Sequence, residues 1–519
     1  MMQVKFMMII LLSFFFTGCG GGGGDSSVPV TTPTTTTTTI GTITLSGKVT
    51  YDLVPVNSNG IGLDYTNIRS EAVKAVQVDA VGESNQILAS TVTDNSGNYA
   101  FSVPNNTILK IRVSARMRQT TTPGWDVEVL DASNGNALHV MEGSLLLTGT
   151  SNETRDLHAP SGWDGNAYSS KRVAGPFAML DTIYTSMQIV LATEPNILFP
   201  ALDVFWYAGN IDGTYYTNGG LYIYGDENSD TDEYDKHVIA HEWAHYYEDK
   251  LSRSDSIGGQ HAISDRLDIR VAFSEGFGNA FSGMALNNPL YSDTLGVNQA
   301  NGFSFNMEND TTTNPGWYNE SSVHKILYDL FDSTNDGADI LSLGFAPLHN
   351  VFTKSQKTTP AFVSIFTFIT ALKSENAGGA VDIDAIVSSE SIASITDIYG
   401  TGRTNLASEL PNYSNLTIGG TANVCPSYTY GTGNKLGNHQ FLKFSIGTAG
   451  TYTITVVKSN LSGTTDPDFL IYKDTSIVSG FSTLSDSETK ILTLSIGDYL
   501  LDVSDYNNVV GACFDVTLN

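Results

Sequence analysis

From Thr42 to about Arg116, apolar and polar residues alternate in the runs TITLSGKVTYDLV, AVQVDAVG, ILASTVTD, GNYAFSV and ILKIRVSAR. A period of two puts one side of each run in a core and the other in solvent, the pattern of half-buried strands. Asp94-Asn95-Ser96-Gly97-Asn98 supplies a turn. The pattern predicts a small antiparallel sandwich over 42–116, then a β-rich connecting region over 117–170. Near Arg172 the period changes. Residues 174–193, AGPFAMLDTIYTSMQIVLAT, read as a helix with one broad apolar face. Two strand-like runs, ALDVFWYAG and GGLYIYGD, lead through the acidic loop DENSDTDEYD to the helical segment HVIAHEWAHYYEDKL. Helical patterns then dominate to about Ile392. Beyond Pro411 strands return in QFLKFSIG, GTYTITVV, DFLIYKD, TKILTLSIG, DYLLDVSD and ACFDVTLN. The expected chain is multidomain: a β-sandwich, an α+β domain over 171–405 with a mostly helical C-terminal lobe, and a C-terminal β-sandwich over 412–519. A length of 519 residues exceeds what one core usually serves.

Composition narrows the functions. Acids number 54 against 26 Lys plus Arg, a formal charge of −28. Nucleic acid and anionic membrane surfaces both require clustered cations, so neither is an expected partner. The first residues carry more information. Lys5 precedes an apolar run over 6–16 that is too short to span a bilayer, as in a signal peptide over 1–18. Phe16-Thr17-Gly18-Cys19 follows and resembles a bacterial lipobox, with Phe16 where Leu is usual. The resemblance implies a lipid-anchored cell-envelope protein with lipid on Cys19, held to the membrane through that anchor only. Gly20 stands where an inner-membrane retention signal often places Asp, which points to the outer membrane. The Gly- and Thr-rich stretch 19–41 reads as a tether. Cys425 and Cys513 fall in one β-rich region of an exported chain and are expected to pair.

The candidate chemistry lies in His241-Glu242-Trp243-Ala244-His245. A helix puts positions i and i+4 on one face, so His241 and His245 present two imidazoles to one ion. With nine His in the chain, chance supplies only about 0.02 such matches. A catalytic zinc takes about three protein ligands and keeps one position open. Glu275, in the apolar run AFSEGFGN, suits the third place, because an isolated carboxylate there is costly unless it meets a cation. Asp265, Asp268 and His261 are its rivals. The metzincin pattern needs Gly at 248 and His at 251, and Glu248 and Leu251 exclude it.

HExxH with a downstream SEGF segment resembles the gluzincin zinc metallopeptidases. The longer run from Asp230 through Leu286 resembles a group of uncharacterised bacterial exported proteins. By that resemblance the central domain is zincin-like, one zinc ion is held by His241, His245 and Glu275, and Glu242 is the general base on zinc-bound water. The substrate is then a peptide or protein. Where the thermolysin branch has an Asp behind a zinc-bound His, this chain has Asn279, which still accepts from an imidazole N–H. Gluzincins add a donor for the developing oxyanion; Tyr318, His324 and His261 are the candidates. GGLYIYG suits an edge strand that pairs with an extended peptide. Asp226, Asp230, Asp232 and Asp235 offer oxygen ligands of the kind calcium takes, but without EF-hand spacing, and a solvated loop is the expectation. The stretch 42–116 resembles a carboxypeptidase-regulatory-like sandwich, and 412–519 a prepeptidase C-terminal sandwich. The alternative reading is a surface-binding or adhesion lipoprotein whose zincin domain is structural or inactive.

Overall fold

The computed structural model describes residues 41–334, 340–459, 464–474 and 476–519. The expected signal peptide, Cys19 and the tether lie outside the described residues. The first sheet is built on the long strand Thr42–Leu53, which pairs antiparallel with Asn98–Pro104 and Arg69–Ala72, and parallel with Glu153–Thr154 and Leu157–Ala159. Just before Asn98–Pro104, Asp94 closes the expected turn by accepting from the Ser96 and Asn98 amides at 2.8 and 2.9 Å.

The second sheet corrects the expected domain boundaries. Its order runs Tyr215–Thr217, Gly220–Tyr222, Leu202–Phe205, Trp125–Asp131, Ile108–Gln119, Val76–Gly82, Ile87–Val92. Strands expected in three separate domains therefore share one ladder. Leu202–Phe205 pairs in parallel with Trp125–Asp131, and one hydrophobic core runs from Ile43 through the helices. The physical reason is edge pairing: a short sandwich leaves unpaired backbone groups at its edge, and the incoming strands satisfy them. Gly220–Tyr222 is also interior. The edge strand is Tyr215–Thr217.

Four of the helices surround the site: α1 (Gly175–Thr193), α2 (Lys236–Leu251), α3 (Ile269–Leu286) and α4 (Glu320–Phe331). Asp268 caps α3 by accepting from the Arg270 amide at 2.9 Å, and Asn287, left-handed at φ 50°, ends it. α2 packs on α3 through aromatic contacts, with Trp243 stacked on Phe281 at 5.3 Å and Tyr247 5.6 Å from Phe277. Between α3 and α4, in a stretch where helical pattern was expected to dominate, the chain makes a hairpin of Leu290–Leu295 and Asn301–Asn306.

The C-terminal region forms two facing sheets, of five and four strands, with a core of its own. The expected disulfide is present between Cys425 and Cys513, across a sequence separation of 88 residues. Closing a loop of that size contributes roughly 4 kcal/mol on the chain-entropy model. This sandwich is joined to α3 by a buried charge cluster. Arg270 donates to both oxygens of Asp268 and, at 2.9 Å, to Asp502 of the sandwich. Its guanidinium also lies over the rings of Phe362 and Phe441 at 4.8 and 4.7 Å. A buried pair of this kind fixes geometry more than it adds stability. Here it fixes where the sandwich meets the first turn of α3.

Candidate metal centre

α2 presents His241, Glu242 and His245 to a cleft of about 1110 Å³, and α3 presents Glu275 to the same cleft. His241 Nε2 lies 3.2 Å from Glu275 Oε2 and 3.1 Å from His245 Nε2, and His245 Nε2 lies 3.5 Å from the same Glu275 oxygen. One ligand atom from each of the three lies within 4.8 Å of the others.

The far side of each ring sets its tautomer. His241 Nδ1 meets Asn279 Oδ1 at 3.0 Å. His245 Nδ1 faces Ser274 Oγ at 3.3 Å and Glu248 Oε2 at 3.6 Å, and Ser274 itself donates to Glu248. With both Nδ1 atoms facing oxygen acceptors, each ring donates from Nδ1 and turns the Nε2 lone pair inward. Two nitrogen lone pairs and a carboxylate oxygen thus converge, a repulsive arrangement that a shared cation makes attractive. The electrostatics agree. Burial disfavours charge on His245, but the Glu275 and Glu248 carboxylates outweigh it and hold its pKa well above the usual value. Burial likewise opposes ionisation of Glu275, yet His245 and His241 hold its carboxyl well below the usual range. A field that favours a proton between these groups also favours a divalent cation.

Close packing of α2 on α3 depends on glycine. A Cβ on Gly278 would stand 2.7–2.9 Å from three atoms of the His241 ring. Glycine inside a helix costs about 1 kcal/mol relative to alanine. Here the cost accompanies the close seating of His241 against α3.

The structure does not bring every candidate to this centre. Asp268 is engaged by Arg270, and Asp265 accepts from the Ala262 amide at 3.0 Å and lies 3.4 Å from Lys435 Nζ. Tyr318, expected at the oxyanion, is corrected by its packing. Its hydroxyl donates to the Pro315 carbonyl at 3.2 Å, its ring stands edge-on to Trp317, and it is not among the residues lining the cleft. His324 is buried with its ring stacked on Phe305, and burial lowers its pKa to about 3. Of the three oxyanion candidates His261 alone lines the cleft, with Nε2 3.4 Å from Glu275 and 3.4 Å from Glu320. Burial pushes the Glu320 carboxyl up to about 7.

The loop that carries His261 is held from outside the helices. Asn434 donates to the Gly258 carbonyl at 2.9 Å and Lys435 to the Gln260 carbonyl at 2.7 Å, while the Asp268 amide donates to the Asn434 carbonyl. The C-terminal sandwich therefore shapes one wall of the cleft. The expected solvated loop before α2 is corrected in its second half: Asn228 and Ser229 are exposed, but Asp232, Glu233, Tyr234 and Asp235 are at most 2% exposed. Arg172 anchors this segment through Glu233 at 3.0 Å. Sequence reasoning passed over Glu248, Glu320 and Asp293 as members of the site. Only Glu248 carried a signal, since it lies three residues after His245 on the same helix face.

Comparison with known proteins gives one family model that matches part of the chain. Comparison with curated proteins returns no match. Among solved structures, the chain is similar to the pre-peptidase C-terminal domain of a collagenase from Bacillus anthracis, at 11% identity over 21% of this chain and 94% of that one, TM-score 0.17. It is also similar to PliG, a periplasmic inhibitor of g-type lysozyme from Aeromonas hydrophila, at 14% identity over 21% and 99%, TM-score 0.14. Residues 193–372 match the family model described as the Mycolysin C-terminal domain. That stretch holds His241, Glu242, His245 and Glu275, and the match associates the chain with a metallopeptidase family.

Proposed function

We propose that this chain is a zinc-dependent peptidase of zincin type that hydrolyses peptide bonds. The carrying observation is the convergence of His241, His245 and Glu275 in a cleft that Glu242 also lines. Two imidazole nitrogens and one carboxylate oxygen are the donor set of a catalytic zinc with an open position. The fit is supported by the inward Nε2 lone pairs, which Asn279 and Glu248 impose. Zinc at such a site supplies Lewis acidity, activating water and polarising the scissile carbonyl.

The protein's own residues supply the rest. Glu242 adjoins His241 yet stays outside the ligand set. Its carboxylate takes the proton of the attacking water and delivers it to the leaving amine. His261 donates to the oxygen on which charge develops. Its N–H is kept near the ligands by Glu320 and by the loop braced from the sandwich. The edge strand Tyr215–Thr217 lies along the cleft and offers unpaired backbone groups to an extended substrate. A purely structural metal site has no use for Glu242, which weighs against the adhesion reading. The test is direct. Purified protein is expected to contain zinc by elemental analysis and to cleave casein; chelation should abolish cleavage and added zinc restore it. Protein that cleaves equally well without metal, or that never binds zinc, overturns the reading.

Anchoring belongs to the same proposal. The lipobox-like FTGC places lipid on Cys19. Cys19→Ser is expected to move the protein from the membrane fraction to the soluble envelope fraction. Unchanged membrane fractionation rules the anchor out.

A further inference from the structure

Asp230, Asp232 and Asp293 line the same cleft as the His–His–Glu centre but share no residue with it. Each offers a carboxylate oxygen, and these oxygens lie within 4.8 Å of one another. A second observation points to a ligand. Asp232 is 2% exposed, and its Oδ1 is cut off from solvent with no hydrogen-bond donor among the described residues. The Oδ1 atoms of Asp230 and Asp293 are in the same condition. A buried carboxylate oxygen without a donor gives up its hydration and gets nothing in return. Three carboxylates in one small volume also repel one another. No Lys or Arg is among the residues lining the cleft.

We propose that Asp230, Asp232 and Asp293 bind calcium at a second cation site beside the peptidase centre. The donors are all oxygens, which hard cations take and which a zinc site of imidazoles does not resemble. Oxygens no more than 4.8 Å apart suit a cation bound at about 2.4 Å. The electrostatics run the same way: burial pushes Asp230 up to about 6 and Asp293 to about 7, and burial with the neighbouring carboxylates pushes Asp232 well above its usual range.

The placement gives the ion a task. Asp230 lies on the short strand Asp230–Thr231 that leads into α2, and Asp293 lies on the hairpin Leu290–Leu295. The other oxygen of Asp232 accepts from the Thr214 hydroxyl, which also receives the Tyr224 amide at the start of the edge strand. One ion thus ties together three segments of the cleft wall: the approach to α2, the hairpin and the edge strand. Calcium then stiffens the substrate channel without touching the residues that do the chemistry.

The test uses the full chain, with calcium alone as the probe. Wild type is expected to hold calcium through dialysis, and EGTA should lower its Tm by on the order of 5 °C, reversed by calcium chloride. Asp466, Asp468 and Glu488 form another carboxylate group in the C-terminal sandwich. The readout is therefore the difference between proteins. Asp232→Asn should contain one calcium fewer per chain than wild type and lose most of the calcium-dependent Tm shift. Asp293→Asn, at a less buried position, should do the same and decides the matter if Asp232→Asn does not fold. Two results overturn the proposal. One is wild-type calcium content and Tm shift in the variants. The other is unchanged calcium with loss of a preference for Lys or Arg next to the cleaved bond, which would assign these carboxylates to a basic substrate side chain. Calcium content and the calcium-dependent Tm shift do not depend on zinc or on cleavage, so failure here is distinguishable from failure of the peptidase reading.

Discussion

Glu242→Gln is expected to lower peptide-bond cleavage by about 10³-fold or more while zinc content, fold and Tm stay at wild-type values. Glutamine keeps the size and most of the polarity of the side chain but cannot accept a proton from water and pass it to an amine. The position favours a clean separation of effects. Glu242 lines the cleft, whereas the ligand atoms that gather within 4.8 Å belong to His241, His245 and Glu275. No helix contact or cap depends on its charge among the described hydrogen bonds. Casein cleavage with a parallel elemental analysis checks it. Retained zinc with unchanged cleavage would show that Glu242 is not the base; lost zinc would show that it belongs to the ligand set.

Glu275→Ala is expected to reduce zinc affinity by on the order of 10²-fold or more, with cleavage lost in parallel. His241→Ala and His245→Ala should match it. The argument is electrostatic as well as geometric. Glu275 is the carboxylate that meets both ring nitrogens, at 3.2 and 3.5 Å. Removing it leaves two neutral imidazoles to hold a dication in a buried site. Asp265→Ala and Asp268→Ala are the controls, because both carboxylates are spent elsewhere, Asp265 on the Ala262 amide and Asp268 on Arg270. Asp268→Ala is expected to lower stability by leaving the buried charge of Arg270 paired with Asp502 alone, without changing zinc stoichiometry. A zinc loss confined to the Asp265 or Asp268 variant would move the third ligand and leave a peptidase of another class. Asn279→Ala tests the ring support and should cost less, about 10- to 100-fold in affinity.

Local pattern carried the elements well. The alternation in TITLSGKVTYDLV and ILKIRVSAR became strands Thr42–Leu53 and Ile108–Gln119, and the apolar face of residues 174–193 became α1. The Cys425–Cys513 pair was legible because two cysteines in one β-rich region leave one pairing. HExxH was legible because helical spacing alone determines that His241 and His245 share a face. The hairpin Leu290–Leu295/Asn301–Asn306 was missed although its period-two runs and the Gly296–Asn301 turn are visible, because the surrounding helical pattern dominated the reading.

What the chain determined by itself is what depends on neighbours in sequence: strand and helix periods, caps, and the two histidines one turn apart. Tertiary structure alone decided whatever depends on groups far apart along the chain. It brought Glu275, and not Asp268, beside the two histidines, sent Tyr318 to the Pro315 carbonyl, and joined strands of three expected regions in one ladder at Leu202–Phe205. It also buried Asp232 in a segment whose composition reads as solvated, and set Asn434 and Lys435 behind the loop of His261. The reason is physical. A carboxylate's role follows from which charge or donor lies within a few ångströms of it, and that distance is set by the packing of whole helices and sheets, to which a local pattern of apolar and polar residues contributes only one face at a time.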